Sequence, residues 1–174
     1  MTSNQLRTLI SAQRLNQRIE GLGREIRQNY TQENIACICV LKGASLFAAD
    51  LIRKLGGDTE IHFVQVASYH GGLGSSGEIT LVVPINADLK DKHLLVIEDI
   101  VDTGFTIEYL QSYLGTFKPK DIKVVSLLDK PSNREVEVIV DYVGFSIPNE
   151  FVVGYGRDYQ ERFRNLVYVA VFVP

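Results

Sequence analysis

From Ser11 onward, Leu15, Ile19, Leu22 and Ile26 recur at spacings of four, three and four, with polar residues between them. That period lays one apolar stripe along a helix capped by Ser11, and the stripe predicts packing against a sheet. The pattern then changes character. "IACICVL" is a continuous apolar run, as a strand covered on both faces requires, and "LKGAS" turns it into the helix "LFAADLIRKL", which stops at Gly56-Gly57. "IHFVQVAS" reads as a strand, "YHGGLGSSG" as a glycine- and serine-rich loop and "EITLVVP" as a second strand. The alternation resumes with the strand "HLLVIEDI", the helix "TIEYLQSYLGTF" and the strand "IKVVSLLDK". Strands alternating with helices in this way predict an α/β fold, with a mostly parallel sheet and right-handed crossovers. The tail from Val136 is rich in Val, Tyr and Phe, which predicts short strands and loops in a smaller subdomain beside the main sheet.

Composition narrows the setting. The chain has 174 residues, 45% of them hydrophobic and 22% charged, with no internal repeat or Pro/Ser-rich linker, so one domain with a real core is expected. A formal charge of −3 supplies no basic footprint, so nucleic acid is not an expected partner. No apolar run approaches the ~20 residues of a membrane span, and "MTSNQLRTLISAQR" lacks the apolar centre of a signal peptide. A cytoplasmic protein is expected. Cys37 and Cys39 lie two apart in a strand, on one face, and with no His or third Cys nearby they read as buried structural thiols. His62, His70 and His93 have no mutual spacing for a metal or a triad and receive no role.

The chemistry concentrates in "LLVIEDIVDTGFT", Leu94 to Thr106, where a core strand ends in Glu98, Asp99 and Asp102. Acids at the end of an apolar strand need cations, hydrogen-bond donors or water, and ligands of open parallel sheets bind beyond the carboxyl ends of the strands. Asp102, Thr103, Gly104, Phe105 and Thr106 supply closely spaced backbone N–H groups and two threonine hydroxyls at a helix start, an arrangement that cradles a phosphate. The Gly-Lys-Ser/Thr of a nucleoside-triphosphate loop is missing, so a phosphate monoester fits better. Glu98 and Asp99 suit hydrogen bonds from neighbouring hydroxyls or a hydrated Mg2+. A plainer reading makes Asp102 a helix cap and leaves Glu98 and Asp99 solvated.

"VIEDIVDTGFT" resembles the 5-phosphoribosyl-1-pyrophosphate signature of the type I phosphoribosyltransferases. "VLKGASLFAADL", "ASYHGG…SSGEI", "SLLDKPSNR" and "VGFSIPNEFVVGYGRDYQERFRNL" extend the likeness, from about Ser11 to the end, to the hypoxanthine-guanine phosphoribosyltransferases. The resemblance implies the type I fold, with a small hood formed mainly by the N- and C-terminal segments. It also implies Mg2+-dependent transfer of a 5-phosphoribosyl group from its pyrophosphate to N9 of hypoxanthine or guanine. In that reading residues 102–106 bind the 5′-phosphate, Glu98 and Asp99 hold the ribose hydroxyls and the metal, and Asp102 moves a purine ring proton. Lys130 meets the exocyclic O6, Phe151 stacks on the base and Val152 offers it backbone groups. Asp158 is a second metal-side acid, Lys42, Gly43 and Arg164 contact pyrophosphate, and Ser68 and Tyr69 begin a lid. Arg157 and Arg162 are taken as solvated. The resemblance implies a homo-oligomer, either dimer or tetramer. Without the resemblance, a lysine at a strand end reads as a solvated cap and the Phe of "FVVGY" as core. The rival functions are a xanthine-preferring or pyrimidine enzyme of the same fold, a nucleotide- or RNA-binding regulator, and a Mg2+-dependent phosphohydrolase.

Overall fold

The computed structural model describes residues 5–30, 34–68 and 79–173. A strand β1 (Gln5–Ile10) leads through Ser11 into helix α1 (Ala12–Asn29). Ser11 is extended, with φ −72° and ψ 157°, and its Oγ accepts from the Arg14 N–H at 3.4 Å, which starts the helix where the sequence placed the cap. The predicted stripe is the buried one: Leu15, Ile19, Leu22 and Ile26 all face inward. At the far end Arg27 donates through Nε to the Leu55 carbonyl and through Nη1 to that of Tyr30, both at 2.8 Å, tying the ends of two helices together.

Next come β2 (Ile35–Leu41), α2 (Ser45–Leu55), β3 (Thr59–Ser68), β4 (Ile79–Val83), β5 (His93–Val101), α3 (Phe105–Gly115) and β6 (Asp121–Asp129). With β7 (Tyr142–Ser146) they build a sheet of order β4-β3-β2-β5-β6-β7, in which β4 alone runs antiparallel to its neighbour. Side chains of β2 alternate between two cores, as the pleat requires. Cys37 and Cys39 join Leu95, Ile97 and Leu127 under α1 and α2, where Phe47 and Leu51 are fully buried. Ile38 and Val40 join Val64, Val96 and Val124 under Ile107, Leu110 and Leu114 of α3. Each such side chain removed from water contributes about 1.5–3 kcal/mol. Both cysteines are free and buried, and burial pushes each thiol up to about 12.

The tail divides differently from the sequence reading. β7 belongs to the main sheet, parallel to β6 from Val125↔Tyr142 to Asp129↔Ser146. Local chemistry draws it there. The Asp141 carboxylate accepts from the Val124 N–H and from Lys123 Nζ, each at 2.8 Å. Arg18 of α1 donates to the carbonyls of Val143 and Gly144 at 2.7 and 3.0 Å. The remainder, β8 (Val152–Val153) and β9 (Val169–Val173), pairs with β1 in an antiparallel sheet of order β1-β9-β8. β1 was not read from the sequence. Its partner lies more than 160 residues away, Gln5 opposite Val173, and six residues without flanking turn signals carry no local mark of that pairing.

Candidate active site

The carboxyl ends of β2 and β5 and the start of α3 surround a cavity of about 540 Å3, within the range of small-molecule sites. Its lining brings together Lys42, Gly43, Glu98, Asp99, residues 102–106, Arg157, Asp158 and Arg164, with Val66 and Ile79 as an apolar wall. The cavity therefore gathers the acids, the phosphate loop and the pyrophosphate-side residues expected from the sequence.

β5 stays buried up to its acids, and Glu98 and Asp99 are each only 5% exposed. Glu98 Oε1 accepts from the Asp99 N–H at 3.0 Å, and Asp99 Oδ1 from the Ile100 N–H at 2.9 Å. Burial, followed by the charge of Asp99, raises the Glu98 carboxyl well above the usual carboxylate range. Two buried acids side by side make a site that favours a cation. Arg157 is the cation paired with them among the described residues, its Nη1 3.2 Å from Asp99 Oδ2. This corrects the expectation that Arg157 is solvated: the chain turns it inward across 58 residues of sequence separation, a contact no local pattern announces.

Asp102 also departs from the capping role. The N-cap of α3 is Gly104, at φ 100°, and no side chain caps the helix among the described residues. A Cβ at Gly104 would fall 2.9 Å from the Val136 carbonyl oxygen, so the position requires glycine for its sign of φ and for space. The first N–H groups of α3 thus stay available to an anion, with the favourable end of the helix dipole behind them. Asp102 instead accepts from Asn133 Nδ2 through Oδ1, while Oδ2 stands 3.5 Å from Lys130 Nζ. Its carbonyl accepts from Arg134 Nη1 at 2.6 Å, and Arg134 also bonds Asp129. A short 3-10 turn, Pro131–Asn133, presents Asn133. Asn133 and Arg134 were not singled out from the sequence, although both lie in "SLLDKPSNR", one of the segments that carried the resemblance.

The peptide bond between Leu41 and Lys42 is cis. Lys42 Nζ lies 3.0 Å from Glu161 Oε2 in a pair more than half exposed on both sides, a contact of small energetic weight. Gly43 has a stricter reason to be glycine, since a Cβ there would fall 2.1 Å from Asp99 Oδ2. Arg164 Nη2 pairs with Asp158 Oδ1 at 2.9 Å and with Glu161 Oε1 at 3.1 Å, so these expected pyrophosphate-side groups already lie against each other. Lys130, 6% exposed, reaches the cavity through Asp102. Phe151 is 48% exposed, its ring edge-on to Tyr159 at 5.9 Å, and Val152 is buried in β8. Neither lines the cavity among the described residues. Ser68 ends β3 opposite Ile79, whereas Tyr69 and the expected lid lie outside the described residues. His93 and His62 have structural partners, Asp121 at 2.7 Å and Glu60 at 3.1 Å.

The donor set fits Mg2+. Glu98 and Asp99 supply hard carboxylate oxygens side by side at the cavity, and Mg2+ completes its shell with water and substrate oxygens. Among the described residues no three His, Cys, Asp or Glu side chains converge on one point, so the chain offers such a metal part of a shell.

Fold and cavity together define an α/β domain whose mostly parallel sheet ends in a pair of buried acids beside a helix start with no side-chain cap. Residues 7–160 match the phosphoribosyl transferase domain family. A hypoxanthine-guanine phosphoribosyltransferase of Lactococcus lactis is 42% identical over 97% of this chain and 91% of its own. A solved structure of a hypoxanthine-guanine phosphoribosyltransferase from Bacillus anthracis superposes with a TM-score of 0.93 at 39% identity, covering 99% of this chain and 100% of that one. The bifunctional protein TilS/HprT of Listeria monocytogenes is 46% identical over 97% of this chain, which spans only 26% of that longer protein. The chain belongs to the hypoxanthine-guanine phosphoribosyltransferase family, and its fold is the type I phosphoribosyltransferase fold.

Proposed function

We propose that the chain transfers a 5-phosphoribosyl group from 5-phosphoribosyl-1-pyrophosphate to N9 of hypoxanthine or guanine, releasing pyrophosphate, in purine salvage. The observation that carries this reading is the placement of Glu98, Asp99, Asp102 and the open start of α3 around one cavity, with Lys130 held against Asp102.

Residues 102–106 bind the 5′-phosphate at the helix start, mostly through backbone N–H groups. Glu98 and Asp99 accept from the ribose hydroxyls. As the C1′–O bond to pyrophosphate lengthens, positive charge grows on the ribosyl carbon and N9 of the base closes on it. Asp102, oriented by Asn133 and Lys130, takes the proton that the purine releases at N7. The Lys130 ammonium, with three donors and no acceptor, suits a 6-oxo group and leaves the amino group of adenine unmatched. Phe151 provides a face for the base and Val152 its backbone groups, while Arg164 and the Lys42-Gly43 loop receive the departing pyrophosphate. Mg2+ held by Glu98 and Asp99, with Asp158 on the pyrophosphate side, would offset charge on the leaving group.

A cytoplasmic dimer or tetramer belongs to the same proposal. No helix among the described residues is long and apolar enough to cross a membrane. Half-exposed Ile61 and Phe63 on β3 and Val82 on β4 offer apolar surface for a second copy, which sedimentation velocity tests. The reaction is tested by incubating the chain with donor, Mg2+ and each of hypoxanthine, guanine, xanthine, adenine and uracil, and following nucleotide formation. Turnover with hypoxanthine or guanine and little with adenine is expected; absence of turnover with every 6-oxopurine overturns the reading.

A further inference from the structure

Arg157 has no role in the transfer just described, yet its position is tightly built. Gly154 and Arg157 exchange backbone hydrogen bonds, Gly154 N–H to Arg157 O at 2.9 Å and Arg157 N–H to Gly154 O at 3.1 Å. Between them Tyr155 and Gly156 have φ of 49° and 97°, the positive pair of a two-residue primed turn. The turn is pinned on two sides. Tyr155 Oη donates to Asp50 on α2, and a Cβ on Gly156 would fall 2.0 Å from the Gly43 carbonyl oxygen. A side chain leaving this turn at Arg157 is aimed into the cavity.

Its target is Asp99, whose side chain is 7% exposed against 29% for Arg157. Arg157 Nε is buried and has no hydrogen-bond partner among the described residues, so the contact is a single Nη1 approach rather than a two-pronged clasp. Asp99 is therefore held by a charge that other ligands can replace. A divalent cation seeking the same carboxylate oxygens meets this guanidinium within a few ångströms, where like charges repel strongly. Pyrophosphate arriving with the cation supplies negative charge that offsets the repulsion.

We propose that Arg157 is a resident counter-cation: it holds Asp99 in the substrate-free site and competes there with the divalent cation, so the metal enters with the anionic donor rather than ahead of it. The inference rests on the phosphoribosyl-transfer reading for the identity of the donor, but it makes Arg157 a positioning residue with a signature of its own. Mn2+ serves as the probe in the absence of donor and base, with free Mn2+ measured by electron paramagnetic resonance on the full chain. Arg157→Met and Arg157→Gln should both bind Mn2+ more tightly than the parent, by on the order of tenfold or more. Adding Asp99→Asn to Arg157→Met should abolish the gain. Thermal unfolding of the Met variant should rise with Mn2+ more steeply than that of the parent. Unchanged Mn2+ affinity in both single variants overturns the proposal. A chain that shows the Mn2+ shift but forms no nucleotide loses the transfer reading and keeps this one.

Discussion

Strands β5 and β6 carry charged groups at both ends, and the two ends manage them differently. At the amino ends His93 Nδ1 meets Asp121 at 2.7 Å, Tyr30 Oη reaches the same carboxylate at 3.3 Å, and Asp141 is held by the Val124 N–H and Lys123. Each acid there faces donors of the chain itself. At the carboxyl ends Glu98 and Asp99 are pressed together in a buried place, and burial with mutual repulsion raises Glu98 well above its ordinary range. One end pairs its acids with separate donors, whereas at the other two adjacent buried carboxylates lie beside the single guanidinium of Arg157. Charge alone does not mark a functional site; charge whose internal compensation is incomplete does.

The contrast can be broken by substitution. The largest effect is expected at Asp102. Asp102→Asn keeps the shape and loses the proton acceptor, so turnover should fall about 10²–10⁴-fold, with a much smaller change in donor KM and in the unfolding midpoint. Steady-state kinetics beside thermal unfolding decide it, and parent-like turnover removes Asp102 from proton transfer. Lys130→Met should follow, lowering kcat/KM for hypoxanthine by about 100-fold because a donor to O6 is lost; an unchanged ratio of hypoxanthine to adenine use would disconnect this lysine from base choice.

At the amino end the signs reverse. Asp141→Ala strands the Val124 N–H and releases Lys123, so denaturant titration should show a loss of about 1–3 kcal/mol while turnover at saturating substrate stays at the parent value. The last difference lies between the two ends, in β2, and shows only above about pH 8.5. Burial pushes the Cys37 thiol up to about 12, against about 8.5 when exposed, so the folded chain keeps a proton that the unfolded chain releases. Its contribution to stability is complete below about pH 8.5 and declines as pH rises toward 12, by about 1.4 kcal/mol per pH unit. Cys37→Ala should flatten the fall of stability between pH 8.5 and 10 in equilibrium unfolding.

Much of this architecture was legible because short-range periodicity and burial agree. The run "IACICVL" became a strand buried on both faces, and the Leu15-Ile19-Leu22-Ile26 stripe became the inner face of α1. The grouping of the acids with residues 102–106 around one cavity was legible because they fall within nine consecutive positions, 98–106, at one strand end. What escaped depends on distant partners. β1 takes its identity from β9, and β7 is drawn to the main sheet by Asp141 and Arg18. Arg157 looks like any exposed arginine until the Tyr155-Gly156 turn directs it to Asp99. Asp102 resembles a cap in sequence, and only the positive φ of Gly104 and the hydrogen bond from Asn133 reveal another employment.

The stack formed by Asp99, Gly43 and Gly156 has a consequence for anyone redesigning this pocket. A methyl group on Gly43 would strike the Asp99 carboxylate, and one on Gly156 would strike the Gly43 carbonyl. Three segments far apart in the chain therefore occupy one column with no vacant volume, and none can be diversified alone. Val66 and Ile79 also line the cavity and take no part in that column, so a library meant to reshape the site begins with them.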